Sequence, residues 1–188
     1  MKQFSKEDGT TMWIIFRYFW QICLLRASPE NIPSSSTLTA ALLLAYTLLS
    51  TLTLYTIKPD LSIISNVSAI LIELIVGAAL LFGILTFKNV RSRFLSTYAA
   101  LMATNVLLTA MIFPLNIFLI NMAEGLLADF LEAITIVIFF WWLGIVGFIF
   151  NKSANISMIQ GVMFALIIEL LVLIATKSLL PEFYPIQD

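Results

Sequence analysis

The sequence predicts an all-α polytopic membrane protein with five transmembrane helices, and three observations carry that prediction. Five apolar stretches, at residues 38–57, 67–87, 94–120, 130–150 and 156–176, each supply about the 20 residues a helix needs to cross a ~30 Å hydrocarbon layer. Of the 188 residues, 61% are hydrophobic and 11% charged, and the mean hydropathy is +1.01, which describes a chain surrounded by lipid. A bilayer core offers no water to unpaired backbone groups, so runs this long satisfy themselves as helices and not as lone strands. The organisation that follows is a cytoplasmic lead-in at 1–37, one transmembrane domain at 38–176 and a short outer tail at 177–188.

The elements can be justified in chain order. Residues 12–25 (MWIIFRYFWQICLL) are apolar but interrupted by Arg17 and Gln21, too short to span, and not followed by a small-residue cleavage site, so they read as retained. Trp13, Phe16, Trp20, Cys23 and Leu24 recur at helical spacing with Arg17, Gln21 and Ser28 on another side, the pattern of an interfacial amphipathic helix; a buried or re-entrant segment is the alternative. The elbow SPENIPSSST then stops the helix with Pro29 and Pro33 and offers Ser36 or Thr37 as the cap of the first span. In the third stretch Pro114 is expected to kink or end the helix and to let residues 115–129 lie along the surface. Trp141 and Trp142, in the middle of the fourth, read as packing bulk, whereas Trp13, Trp20 and Tyr184 suit interface depth.

Charge sets an expected orientation. Lys2, Lys6, Arg17 and Arg26 precede span one, Lys88, Arg91 and Arg93 follow span two, and Lys152 follows span four. These fall on one side of the membrane, leaving Lys58 and Lys177 on the other; of the acids, Glu7, Asp8 and Glu30 lie on the inner side, while Asp60, Glu73, Glu124, Asp129, Glu132, Glu169, Glu182 and Asp188 lie in the outer half or outside. Basic residues beside span ends favour the cytoplasm, so the N-terminus is expected inside and the C-terminus outside, in a bacterial inner membrane or, alternatively, a Golgi or ER membrane.

Two acids within the spans are the candidate functional residues. A carboxylate in the bilayer interior costs several kcal/mol unless it faces protein or water. With span two starting at 67, Glu73 lies about 9 Å deep, and with span five ending at 176, Glu169 lies roughly 10 Å deep from the same side. Each sits on a stripe of small residues at i, i+4 spacing: Ser65, Ala69, Glu73 and Gly77 in one helix, Ser157, Gly161, Ala165 and Glu169 in the other. Such stripes let helices approach closely. If they meet, two carboxyls share a low-dielectric site where mutual repulsion and desolvation oppose ionising both, a proton or cation site that Asp129 and Glu132 would extend toward water. The same acids can instead hold helices together through a backbone carbonyl or Asn105, or meet a polar group of another subunit. Thr104, Asn105 and Asn116 on span three read as interhelical hydrogen-bond donors.

The composition also excludes much. A net charge of −1 gives no basic field for nucleic acid. No histidine and a single cysteine leave no ordinary zinc site, no histidine-ligated haem and no intrachain disulfide, so neither metal nor cofactor is expected. Cys23, beside the membrane, is a candidate for acylation. The tripeptides Asn66-Val-Ser68 and Asn155-Ile-Ser157 match the glycosylation pattern at the level chance provides. There is no G-x-S-x-G segment and no phosphate-cradling loop, and the loops are too short to build a catalytic site, so the chain is expected not to be an enzyme. The leading expectation is an accessory or scaffold subunit whose partners are the bilayer and other membrane proteins or further copies of itself. The alternative is a small oligomeric transporter or channel for protons, cations or a proton-coupled solute, using Glu73 and Glu169.

Five closely spaced spans after a lead-in containing Ser28-Pro29-Glu30-Asn31-Ile32-Pro33 resemble the Yip1 family of small integral membrane proteins in layout over residues 28–176. The D-L-Y-G-P type segment of the eukaryotic members has no match here, so no residue role is carried over. Phe94-Leu95-Ser96-Thr97 and Trp142-Leu143-Gly144-Ile145-Val146-Gly147 also resemble segments of small bacterial inner-membrane proteins. Both resemblances imply a non-enzymatic membrane scaffold or adaptor.

Overall fold

A computed structural model describes residues 4–122 and 125–183, with side chains from residue 13 onward. Lys2, Glu124, Tyr184 and Asp188 lie outside these residues. Six helices follow one another: α1 (Phe4–Cys23), α2 (Ser36–Ile57), α3 (Ile63–Phe87), α4 (Phe94–Asn121), α5 (Leu126–Ala154) and α6 (Met158–Leu179). Among the described residues there is no strand. Helices α2 to α6 are each long and apolar enough to cross a membrane, and α1 is a short amphipathic helix before them, so the chain is an all-α integral membrane protein.

Local chemistry fixes where the spans begin. Ser35, extended at φ −101°, caps α2 by accepting from the Leu38 N–H at 3.3 Å, in place of the expected Ser36 or Thr37. Helix α3 starts four residues before the expected 67 because Ser62 accepts from the Ser65 N–H at 3.0 Å, drawing the polar Ser65 and Asn66 into the first turn. Helix α5 opens at Leu126, placing Asp129 in its first turn, where a carboxylate suits the helix dipole. Ser157 and Gln160 form a reciprocal capping box that starts α6, so Ser157 is a cap and not part of a packing stripe.

Pro114 neither ends α4 nor lays residues 115–129 along the surface. The helix runs on to Asn121, and residues 126–129 already belong to α5. Proline removes one N–H and leaves the Ala110 carbonyl without its usual donor, whereas unwinding in lipid would strand several backbone groups at once.

The core forms around two sets of side chains. Tyr46 of α2, Leu74, Leu81 and Leu85 of α3, Tyr98 and Met102 of α4, Phe150 of α5 and Ala165 of α6 pack together across the bundle. In the second set, Phe19, Ile22 and Cys23 seat the last turns of α1 against Ala99, Ala100 and Ala103 of α4 and Ile145 and Ile149 of α5. Trp13, Phe16 and Arg17 stay exposed on α1, with the Trp13 and Phe16 rings stacked at 5.8 Å. Trp20 meets Trp141 edge-on at 6.2 Å, and the Trp141 Nε1–H donates to the Cys23 carbonyl at 3.0 Å. Trp141 is therefore the hydrogen-bonded anchor of α1, beyond filling volume.

Cys23 has no exposed surface, so the structure does not offer it for acylation. Burial pushes its thiol from about 9 up to about 11. We predict negligible maleimide labelling of the folded protein at pH 7.5 and full labelling after denaturation; rapid labelling of the folded form would contradict this packing. Because the folded thiol holds its proton to higher pH than the unfolded one, its contribution to stability is complete below pH 9 and is lost as pH rises through 11.

Both ends of the bundle are tied. Arg93 bonds Glu30 at 2.6 Å and donates to the Lys152 and Ser153 carbonyls at 3.3 and 3.2 Å, joining the elbow to the end of α5. At the other end the Lys58 Nζ donates to the Phe183 carbonyl at 2.8 Å and Ser65 Oγ to Glu182 at 3.0 Å. Asn66 is fully buried and presents no glycosylation acceptor.

Candidate functional site: a polar cavity at mid-bundle

With α3 beginning at Ile63, Glu73 lies ten residues in, and Glu169 lies ten residues from the end of α6 at Leu179. At 1.5 Å per residue each is about 15 Å deep, deeper than the hydropathy boundaries placed them and close to the centre of a ~30 Å core. Tyr46, ten residues into α2, stands at a matching level.

These residues border one cavity of about 360 Å³. Every span supplies a polar side chain to its wall: Tyr46 from α2, Glu73 from α3, Asn105 and Thr109 from α4, Thr135 and Trp142 from α5, and Glu169 from α6. Leu108, Ile112, Ile138 and Phe139 complete it. The α4 residues run from Asn105 toward Ile112 and the α5 residues from Trp142 back toward Thr135, so the cavity extends from mid-bundle along the α4–α5 cleft toward the end that carries the α4–α5 connection.

The two carboxyls are held differently. Tyr46, 7% exposed, donates its hydroxyl to Glu73 Oε1 at 2.5 Å, and Tyr98 donates to the Leu74 carbonyl beside it at 3.1 Å. Asn105 Oδ1 accepts the Trp142 Nε1–H at 3.0 Å, so Asn105 pairs with tryptophan and not with a glutamate. The Glu169 carboxyl makes no hydrogen bond among the described residues and lies partly exposed on the cavity wall. One acid is fixed by a phenol; the other faces the space.

The small-residue stripes divide. On α6, Gly161 packs against α5: a methyl group built there meets the Gly147 carbonyl oxygen and lies 3.0 Å from the Gly147 Cα. Ala165 is buried on the same face, and Ala69 is buried on α3. Gly77 admits no close helix, since nothing lies within 4 Å of the position a Cβ would take. It borders a smaller space of about 60 Å³ that Glu73, Tyr98, Trp142, Ala165 and Glu169 also line.

Asp129 and Glu132 are exposed and outside the cavity wall. Glu132 sits one turn beyond Thr135 on a neighbouring face; Asp129 is a further turn away and turned aside. The residues that sequence reasoning missed are Tyr46, Thr109, Thr135 and the role of Trp142. Their signal was a polar atom inside each apolar run. Among the described residues no group of three or more cysteine, aspartate or glutamate side chains is placed to hold a metal ion. No protein-family model matches the chain, and neither curated proteins nor solved structures provide a match.

Proposed function

We propose that this integral membrane protein is a carrier for a small organic cation, taken up in exchange for protons at the Glu73–Glu169 cavity. The observation that supports it is the convergence of a polar side chain from every span on one cavity at mid-bundle depth, two of them acids. Structural glue needs one partner for each acid, as Tyr46 supplies for Glu73; it does not need a cavity with a second carboxyl facing into it. An acid at this depth either carries a proton or faces a cation, so the two occupants exclude one another, which is the logic of exchange. The volume suits a small ligand, and Tyr46, Phe139 and Trp142 in the wall give it an aromatic lining of the kind that favours a cation.

The orientation rests on charge. Arg26, Lys88, Arg91, Arg93 and Lys152 lie in or beside the connections at the end opposite the cavity mouth, which supports a cytoplasmic N-terminus and a mouth facing outward. The test uses the full chain in liposomes that are acidic inside, with tetraethylammonium or guanidinium outside and an internal pH dye. Wild-type protein should couple cation entry to proton release, and the Glu73→Gln/Glu169→Gln double variant should lose it; no coupled flux with either cation would end this reading.

A second reading is the accessory subunit. Its support is the exposed Trp13–Phe16 stack, which with Phe19, Leu42, Ala103, Val106 and Leu107 lines an apolar groove of about 490 Å³. Purification in mild detergent that returns this chain alone would count against it.

A further inference from the structure

Helices α3 and α6 border a lateral groove of about 730 Å³ in the half nearer the α3–α4 and α5–α6 connections. Its walls are Ala79, Leu80, Gly83, Ile84 and Phe87 on one side and Ile156, Met163, Phe164 and Ile167 on the other, with Lys88 and Gln160 also lining it. None of the cavity residues takes part. We infer that this groove is a binding site for an anionic glycerophospholipid, one acyl chain lying along Gly83 and the phosphate meeting Lys88.

Three observations carry the assignment. The first is length: from Ala79 to Lys88 is nine residues, roughly 14 Å of helix, which matches one leaflet of a ~30 Å core. The groove thus starts at the polar boundary and ends near mid-bilayer, the reach of a single acyl chain. The second is space. A Cβ built at Gly83 meets nothing within 4 Å, so the glycine leaves the groove open at that point.

The third is charge. Lys88 is the cation in the groove lining, while the neighbouring Arg91 is held 5.4 Å over the Phe82 ring and Arg93 is paired with Glu30. Among the described side chains this end carries an excess of basic residues, and Glu30, its acid, is engaged by Arg93. Basic pockets between transmembrane helices recognise anionic headgroups, and a zwitterionic headgroup would gain less from the same lysine. Among the groove-lining residues there is no acid, so a second copy that met this groove with the same apolar face would leave Lys88 without an anion.

The test is native mass spectrometry of the full-length protein released from nanodiscs containing equal amounts of phosphatidylglycerol and phosphatidylcholine with identical chains. Wild-type protein should retain phosphatidylglycerol preferentially. Lys88→Gln should lower that preference about fivefold, the effect of one charge at a membrane surface, while still holding some lipid. Gly83→Leu should lose both lipids, because its side chain enters the groove where the first added atom meets no protein atom. Unchanged thermal unfolding of both variants separates lost binding from lost folding. Equal retention of the two lipids by wild-type protein, preference that survives both changes, or a dimer that sheds lipid on forming would each overturn the assignment.

Discussion

Replacing Glu169 with glutamine is expected to abolish coupled cation uptake, with a loss of about a hundredfold or more, while the protein stays folded. The size follows from position: a carboxylate that meets a cation in a water-poor site is worth roughly 2–5 kcal/mol when its partner is removed. Tyr46→Phe should act through Glu73, removing the phenol that holds that carboxyl; a hydrogen bond to a charged group is worth about 1.5–3 kcal/mol, so a loss of about tenfold to a hundredfold is expected. Glu132→Gln is the control, being exposed and outside the cavity wall, and uptake should change by less than about twofold. The measurement is initial uptake rate against cation concentration for the three variants side by side. Equal rates in wild-type and Glu169→Gln protein would remove Glu169 from the mechanism.

The largest expected effect on stability comes from a single methyl group. Gly161→Ala puts its Cβ against the Gly147 backbone, which cannot yield as a side chain would, so α5 and α6 must move apart. Overpacking of this kind costs about 1–3 kcal/mol, and the unfolding temperature followed by tryptophan fluorescence should fall by several degrees. Gly161→Leu should prevent assembly of the helix pair. Gly144→Ala is the matched comparison, on α5 but with nothing within 4 Å of the new atom, and it should be neutral or stabilising by about 0.5–1 kcal/mol. Equal unfolding temperatures for Gly161→Ala and Gly144→Ala would refute the close approach.

The contrast between these glycines shows where the sequence was readable. Hydropathy located all five spans, because lipid demands about 20 apolar residues whatever the neighbours are, and counting along them put Glu73 and Glu169 at one level. It misplaced starts where a serine caps a polar first turn, as Ser62 does. The small stripes identified helix faces free of bulk but not what faces them: Gly161 meets Gly147 of α5, and Gly77 meets open space. The same limit hid Tyr46 and Trp142. In an apolar run a tyrosine or tryptophan is volume first, and whether its hydroxyl or N–H turns toward a carboxyl or an amide depends on helix rotation, which packing decides and a single helix pattern does not.

The pairing of Gly147 with Gly161 bears on how such a bundle can move. Helices α5 and α6 are joined by a tight connection turned by Asn155 in the left-handed region and meet backbone to backbone, so a displacement of one should carry the other with it. Glu73 is tied through Tyr46 to α2, while Glu169 rides on α6. Any displacement of the α5–α6 pair would have to strain the bonds that hold α5 to its neighbours, Trp142 to Asn105 and Arg93 to the Lys152 and Ser153 carbonyls, and would change the gap between the two carboxyls. Under the proposed exchange, the separation of the two carboxyls becomes a mechanical variable, one that a bound cation would shorten and that protonation would relax.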